Sequence, residues 1–312
     1  MPPPIRIYFH GTGGTTPFNL RKMPCITLKY ESYVIQFDFG EYCQYSLIKS
    51  GIHPFRNELY ILITHFHADH VGGLPTFLHT FKIVNNRKEI TIIGPVGLRV
   101  FIHTILNLFG IDDIIGMLRL IEIEPKENVA EKVIETKKFE IYVFKTLHNV
   151  PSIGFIFKEK NYKKFDVKKA EILGIPPGTI RGKLMRGLPI ILNGKEIKPE
   201  DVVMILPGRK IVYTGDTKVI ASIRNIIQDA DLLIHEATYL KSTHSKHAEE
   251  RYHATVEDVC KLAIQAKVKR LALVHVSPRY SDILDMVQKT AKEIIDEKLE
   301  LIIPSDGDTI EI

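Results

Sequence analysis

Three histidines and an aspartate fall within six residues, His65, His67, Asp69 and His70, directly after the apolar run Leu59 to Thr64. A loop leaving a buried strand can turn all four side chains toward one point. Neutral imidazole and carboxylate are the donors that a borderline cation such as zinc prefers. A lone histidine is usually structural, but this cluster at the end of a buried strand is a metal-binding pattern. A ligand type just past an apolar strand recurs at three later places: His148 after the run ending at Thr146, Asp216 after Ile211 to Gly215, and His275 after Arg270 to Val274. Taken singly, these read as well as a loop histidine, a turn or capping aspartate and a strand terminator. Jointly they bring the set to seven ligands at one edge. Seven suffice for two zinc ions if one carboxylate is shared, and Asp216, with two oxygens, is the natural bridge. Such a pair, roughly 3.5 to 4 Å apart, makes water a nucleophile near neutral pH.

The elements that must hold these residues follow from the apolar pattern. Strands are expected at Ile5 to Phe9, Cys25 to Tyr30, Tyr33 to Asp38, Leu59 to Thr64, Thr91 to Gly94, Phe139 to Thr146 and Ile153 to Phe157, with a helix at Val96 to Leu108. Residues 158–210 break the rhythm, with no sustained period and the turn-rich stretch Gly174 to Gly178, and are read as an inserted arm. Strands at Ile211 to Thr214, Leu232 to His235, Arg270 to Val274 and Glu300 to Ile303 then alternate with helices at Ile220 to Gln228, Thr255 to Ala266 and Ile283 to Ile295. The expectation is one α/β (α+β) domain over residues 1–312, two mixed sheets with helices outside them. No short repeat or low-complexity tract suggests an array or a disordered chain.

A chain of 312 residues, 45% apolar, can bury a sizeable core. No apolar run approaches the roughly 20 residues of a membrane span and no early stretch reads as a signal peptide, so no membrane association and a cytoplasmic location are expected. Cys25, Cys43 and Cys260 lack C-x-x-C spacing and read as plain core or surface residues. The net charge of +5 is unevenly placed: residues 158–210 hold 13 Lys and Arg against 6 Asp and Glu, a surplus of seven, which leaves the rest of the chain at −2. Alone this is a solvated charged loop. Beside a metal-dependent hydrolase site it is an arm that would grip RNA phosphates in a salt-dependent, sequence-independent way.

The segment His65 to His70 resembles the HxHxDH signature of the metallo-β-lactamase superfamily. Further segments resemble the ribonuclease Z family of tRNA 3′-processing endonucleases, in that family's order: Gly11 to Pro17, Phe37 to Leu47, Ile63 to Pro75, Leu147 to Phe155, Gly174 to Gly187, Tyr213 to Thr217, His235 to Tyr239, His253 to Thr255 and His275 to Tyr280. The resemblance implies an αββα sandwich with two zinc ions per subunit, one held by His65, His67, His148 and Asp216, the other by Asp69, His70, Asp216 and His275. It makes Asp69 the catalytic proton acceptor and places Glu236 and His253 beside the metals, where a histidine polarised by a carboxylate would protonate the leaving 3′-oxygen. It further implies a precursor tRNA substrate cut after the discriminator base, leaving a 3′-hydroxyl on the tRNA and a 5′-phosphate on the trailer. A flexible arm clamping the tRNA elbow through a Gly-Pro motif (here Gly174, Pro176, Gly178 and Lys183), a loop near the substrate (here Arg21 and Lys22), and a homodimer complete the picture. Ala68 stands where the family often has glycine, Tyr42 and Cys43 interrupt its usual GEGTQ, and Ala254 replaces a serine; none of these removes a ligand. The competing readings are another phosphodiesterase or small-ester hydrolase of the same fold and a non-catalytic RNA-binding module.

Overall fold

β-Branched and aromatic residues crowd the first forty positions, and the chain begins as an antiparallel meander of β1 (Ile5–Gly11), β2 (Cys25–Tyr30) and β3 (Tyr33–Phe37). The structure is a computed structural model describing residues 3–18, 21–84, 88–280 and 283–312. Strands β4 (Glu58–Leu62), β5 (Ile90–Gly94) and β6 (Leu118–Glu122) then add in parallel. Their crossovers carry α1 (Cys43–Lys49), α2 (Ala68–Val71), α3 (Leu74–Val84) and α4 (Leu98–Phe109). A second sheet starts antiparallel with β7 (Ala130–Glu135), β8 (Phe139–Lys145) and β9 (Ile153–Glu159). The chain leaves as an arm of β10 (Tyr162–Phe165), α5 (Val167–Ile172), α6 (Thr179–Met185), β11 (Ile190–Leu192), β12 (Lys195–Ile197), α7 (Pro199–Val202) and β13 (Val203–Leu206). It returns as β14 (Lys210–Tyr213), antiparallel to β9, followed in parallel by β15 (Leu232–Glu236), β16 (Arg270–Val274) and β17 (Glu300–Ile302). Helices α8 (Ala221–Ile227), α9 (Lys241–Arg251), α10 (Val256–Gln265) and α11 (Leu284–Ile294) link these strands, and β18 (Thr309–Glu311) closes the first sheet beside β1.

The sheets run β18-β1-β2-β3-β4-β5-β6 and β17-β16-β15-β14-β9-β8-β7, each pairing antiparallel over one half and parallel over the other. Between them lies a core rich in aromatics, including Phe9, Phe37, Phe139, Phe155 and Phe157. Phe139 meets Tyr33 edge-on at 4.9 Å between ring centroids and stacks on Phe157 at 5.0 Å. The outer faces are covered by helices, through residues such as Phe77 and Ile102 on the first sheet and Val259 and Val287 on the second. This is the expected αββα sandwich. Among the described residues no helix is long and apolar enough to cross a membrane.

Three expectations change. Cys25 and Cys43 are not plain residues but form a disulfide, their Cα atoms 5.6 Å apart, because α1 packs over the end of β2; an 18-residue separation in sequence carries no such signal. Cys260 is buried and free, as expected. Residues 158–159 complete β9 and residue 210 opens β14, so the excursion is narrower than the composition shift. The arm is also folded, its short helices and hairpins enclosing a small core of Ala170, Ile175, Leu184, Ile197 and Val202.

The root of the arm is fastened by charge. Arg209 donates to Glu159 through Nε (2.7 Å) and Nη2 (2.7 Å), to the backbone oxygen of Ile312 (2.6 Å) and to that of Pro3 (2.7 Å), while the Tyr30 hydroxyl donates to the same carboxylate (2.8 Å). Burial opposes ionisation of Glu159, but the bonds from Arg209 outweigh it and lower its pKa. Truncating one partner of such a pair strands the other charge, so Arg209→Ala should destabilise the fold by about 3 kcal/mol. The pair's contribution is complete above the unfolded carboxylate pKa and lost as pH falls through the lowered value. Thermal melts from pH 7 to pH 3 should therefore show the wild-type advantage shrinking in acid; an unchanged melting temperature at pH 7 would refute the assignment.

Candidate metal centre

The four ligand-bearing loops leave the ends of β4, β8, β14 and β16, and all open on one edge of the sandwich. After β4 the chain runs extended to His67, then turns into α2, which carries Asp69 and His70 inward. His65 and His70 are fully buried, and Asp69, Asp216 and His275 nearly so. Two glycines make the approach possible. Gly215 has φ +60°, and a Cβ there would lie 2.6 Å from Thr64 Cβ; a Cβ on Gly14 would lie 3.0 Å from the His275 ring.

The donor atoms gather as two groups. His65 Nε2 lies 3.0 Å from His67 Nδ1, which lies 3.3 Å from His148 Nε2. In the second group, His70 Nε2 is 3.6 Å from Asp69 Oδ2 and 3.5 Å from Asp216 Oδ2, while His275 Nε2 is 3.4 Å and 3.2 Å from the same two oxygens. A tetrahedral ion with donors at about 2.0–2.1 Å holds them roughly 3.3 Å from one another, so the spacing is that of donors around a cation. His70 Nε2 is a buried nitrogen without a hydrogen bond among the described residues, an orphan that a metal would satisfy. All seven expected ligands thus converge, and the donor set fits metal ions.

Four of the five imidazoles are aimed by what their other nitrogen touches. His70 Nδ1 bonds Asp38 Oδ2 (2.7 Å), His275 Nδ1 bonds Thr238 Oγ1 (3.0 Å), His148 Nδ1 bonds the Tyr252 carbonyl (3.1 Å) and His65 Nδ1 bonds Thr64 Oγ1 (3.0 Å). Such partners fix tautomer and ring orientation. Asp38 is the hub: it also accepts from the Thr64 amide (2.8 Å) and the Tyr213 hydroxyl (2.8 Å). Burial lowers the pKa of His65, His67 and His148, keeping these imidazoles neutral and ready to ligate. Burial opposes charge on Asp216 too, but His275 and His70 outweigh it and hold its pKa well below the carboxylate range.

Glu236 and His253 stand beside this centre. His253 Nδ1 donates to Glu236 Oε1 (2.9 Å), and the carboxylate is held in place by the amides of Thr217 (2.8 Å) and Ala254 (3.1 Å) and by the Thr238 hydroxyl (2.6 Å). Burial disfavours the imidazolium, yet Glu236 overrides it and raises the His253 pKa to about 9. His253 also lies 3.9 Å from Asp216 Oδ2, but its Nδ1 is taken by Glu236.

The expected substrate loop is different. Arg21 is buried, its guanidinium donating to the Pro304 carbonyl (2.8 Å) and to Thr12 Oγ1 (2.5 Å), so it braces the core rather than facing a substrate. Lys22 Nζ lies 3.5 Å from Ser46 Oγ. Gly174, Pro176, Gly178 and Lys183 are exposed on the arm. Asp38, Thr64, Tyr213 and Thr238 were not singled out in the sequence. Asp38 carried a usable signal, being another carboxylate at the end of an apolar strand.

Fold and centre together define a metallo-β-lactamase-fold hydrolase, and comparison with known proteins agrees. The family described as "Beta-lactamase superfamily domain" matches residues 199–276, and that described as "Anti-Pycsar protein Apyc1" matches residues 5–171. The chain is 37% identical to ribonuclease Z of Thermococcus gammatolerans over 98% of its own length and 94% of that protein, and 38% identical to ribonuclease Z of Thermococcus sibiricus over 99% and 96%. The crystal structure of human tRNase Z, short form, superposes with a TM-score of 0.68 at 27% identity, covering 98% of both chains. The chain belongs to the ribonuclease Z family.

Proposed function

We propose that the protein is a zinc-dependent endoribonuclease that removes the 3′ trailer of precursor tRNA after the discriminator base, leaving a 3′-hydroxyl on the tRNA and a 5′-phosphate on the trailer. One observation carries the reading: two adjoining donor groups at metal-ligand spacing, flanked by a histidine–carboxylate pair. In this reading His65, His67, His148 and Asp216 hold one zinc ion, and Asp69, His70, Asp216 and His275 hold the other. When bound, the ions polarise the scissile phosphodiester and make a water acidic enough to attack near neutral pH.

The chain's own groups do the rest. Asp69 turns Oδ2 toward His70 and His275, leaving Oδ1 to orient the attacking water and accept its proton. His253, kept charged by Glu236, gives its proton to the departing 3′-oxygen of the tRNA. The basic arm holds the folded RNA by its phosphates. We place the enzyme in the cytoplasm as a homodimer in which one subunit's arm serves the other's centre.

Incubation of the purified protein with a 3′-extended tRNA, and mapping of the cut, tests this directly. A single cut after the discriminator base is expected. Cleavage of small diesters but never of the precursor would favour another phosphodiesterase of this fold, and binding without cleavage a non-catalytic RNA-binding module. On the arm, Lys183→Ala with Arg186→Ala should raise KM for the precursor about tenfold and reduce the salt slope of log KM by about two, with kcat and bis(p-nitrophenyl) phosphate turnover unchanged. An unaltered KM would remove the arm from substrate binding.

A further inference from the structure

A cleft of about 600 Å³ opens directly behind His253, between α8, α9 and α10 on the outer face of the second sheet. Four cations line it: Lys218 just after Asp216, Arg224 on α8, Lys241 on α9 and Lys261 on α10. Two carboxylates face them, and both are engaged, Glu249 with Lys218 and Asp258 with Lys241 (2.8 Å). Arg224 and Lys261 are exposed and have no ion-pair partner among the described residues. Asp258 also feels the charge of Lys261, but with four cations against two carboxylates the cleft keeps a surplus of two positive charges on a path that begins at the reaction centre.

We infer that this cleft seats the sugar-phosphate backbone of the tRNA's own 3′ strand, the strand on the 5′ side of the cut, with Arg224 and Lys261 as its phosphate contacts. The inference rests on the nuclease reading above. The direction follows from the chemistry. In an in-line displacement the entering and leaving oxygens lie on opposite sides of phosphorus. His253 marks the leaving side, and the leaving 3′-oxygen belongs to the mature tRNA, not to the trailer. RNA continuing past His253 is therefore the tRNA strand, and its phosphates meet Arg224 and Lys261. Lys218, tied to Glu249 and lying over the Tyr252 ring at 4.4 Å, is held at the mouth of the cleft between this path and Asp216.

The test uses the full-length enzyme carrying Arg224→Ala and Lys261→Ala together, both at exposed positions, with circular dichroism to confirm the fold. Two probes compete with the precursor: mature tRNA ending in a 3′-hydroxyl, and a 5′-phosphorylated trailer oligonucleotide. The expected result is a weakening of tRNA inhibition and a rise in precursor KM of about tenfold, a salt slope lower by about two, and no change in trailer inhibition. The conservative pair Arg224→Lys and Lys261→Arg should restore tRNA affinity. Unchanged tRNA affinity and salt slope would overturn the inference, as would a loss confined to the trailer oligonucleotide. Failure of the wild type to cut the precursor would speak against the nuclease reading instead, and the tRNA affinity of the double variant would still decide the cleft.

Discussion

Replacing Asp216 by alanine should lower kcat/KM for precursor tRNA, and for a small phosphodiester alike, by on the order of 10⁴, the scale seen when one member of an interdependent catalytic group is removed. Asp216 is the group on which the centre pivots. Its Oδ2 lies 3.5 Å from His70 Nε2, 3.2 Å from His275 Nε2 and 3.9 Å from His253 Nδ1, and the same carboxylate clusters with His65 and with His148, so it touches both donor groups and the proton donor. Alanine removes the shared ligand and one of the carboxylates that face His70 and His275, leaving Asp69 and Asp38 to balance them. The loss should strike both substrates equally, because it lies in the chemistry and not in RNA recognition. Steady-state kinetics with both substrates, alongside metal content, checks this; a variant that retained metal and cleaved the small diester at the wild-type rate would refute the assignment.

His253→Ala should separate the substrates. A 3′-alkoxide leaves with difficulty unless it is protonated, and general acid catalysis contributes typically 10²–10⁴-fold, so precursor cleavage should fall by about 10³. A p-nitrophenolate departs without a proton, so hydrolysis of bis(p-nitrophenyl) phosphate should fall by far less. The pairing that makes His253 a donor is visible in its 2.9 Å bond to Glu236, whose own oxygens are held by Thr217, Thr238 and Ala254. An equal fall on both substrates would mean that His253 acts by holding Asp216 or a metal, not by giving a proton.

Much of this centre was legible in the sequence because its ligands obey a simple rule: each follows an apolar strand, and the strands of an α/β sandwich end at a common edge. That rule found His65, His67, Asp69, His70, His148, Asp216 and His275. It missed Thr64 and Thr238, whose roles arise from hydrogen bonds to imidazole nitrogens and leave no periodic trace. Arg21 was expected near the substrate from the family resemblance, not from that rule, and nothing in the local sequence shows that the chain near Pro304 and Asp306 returns to cover it. Short helices such as α1 and α9 were not foreseen: α1 spans two turns, and α9 (Lys241–Arg251) is polar on nearly all sides, with a non-helical kink at His244. The arm hid its fold for a related reason, since elements of three to seven residues cannot display a sustained period.

The claim beneath the whole account is that these seven side chains hold metal. Elemental analysis of the purified chain, with cleavage assayed before and after chelation, tests it most directly. The account predicts two zinc ions per chain, loss of cleavage when they are stripped and recovery when zinc is returned. A chain free of transition metal that still cut precursor tRNA at full rate in the presence of chelator would contradict it.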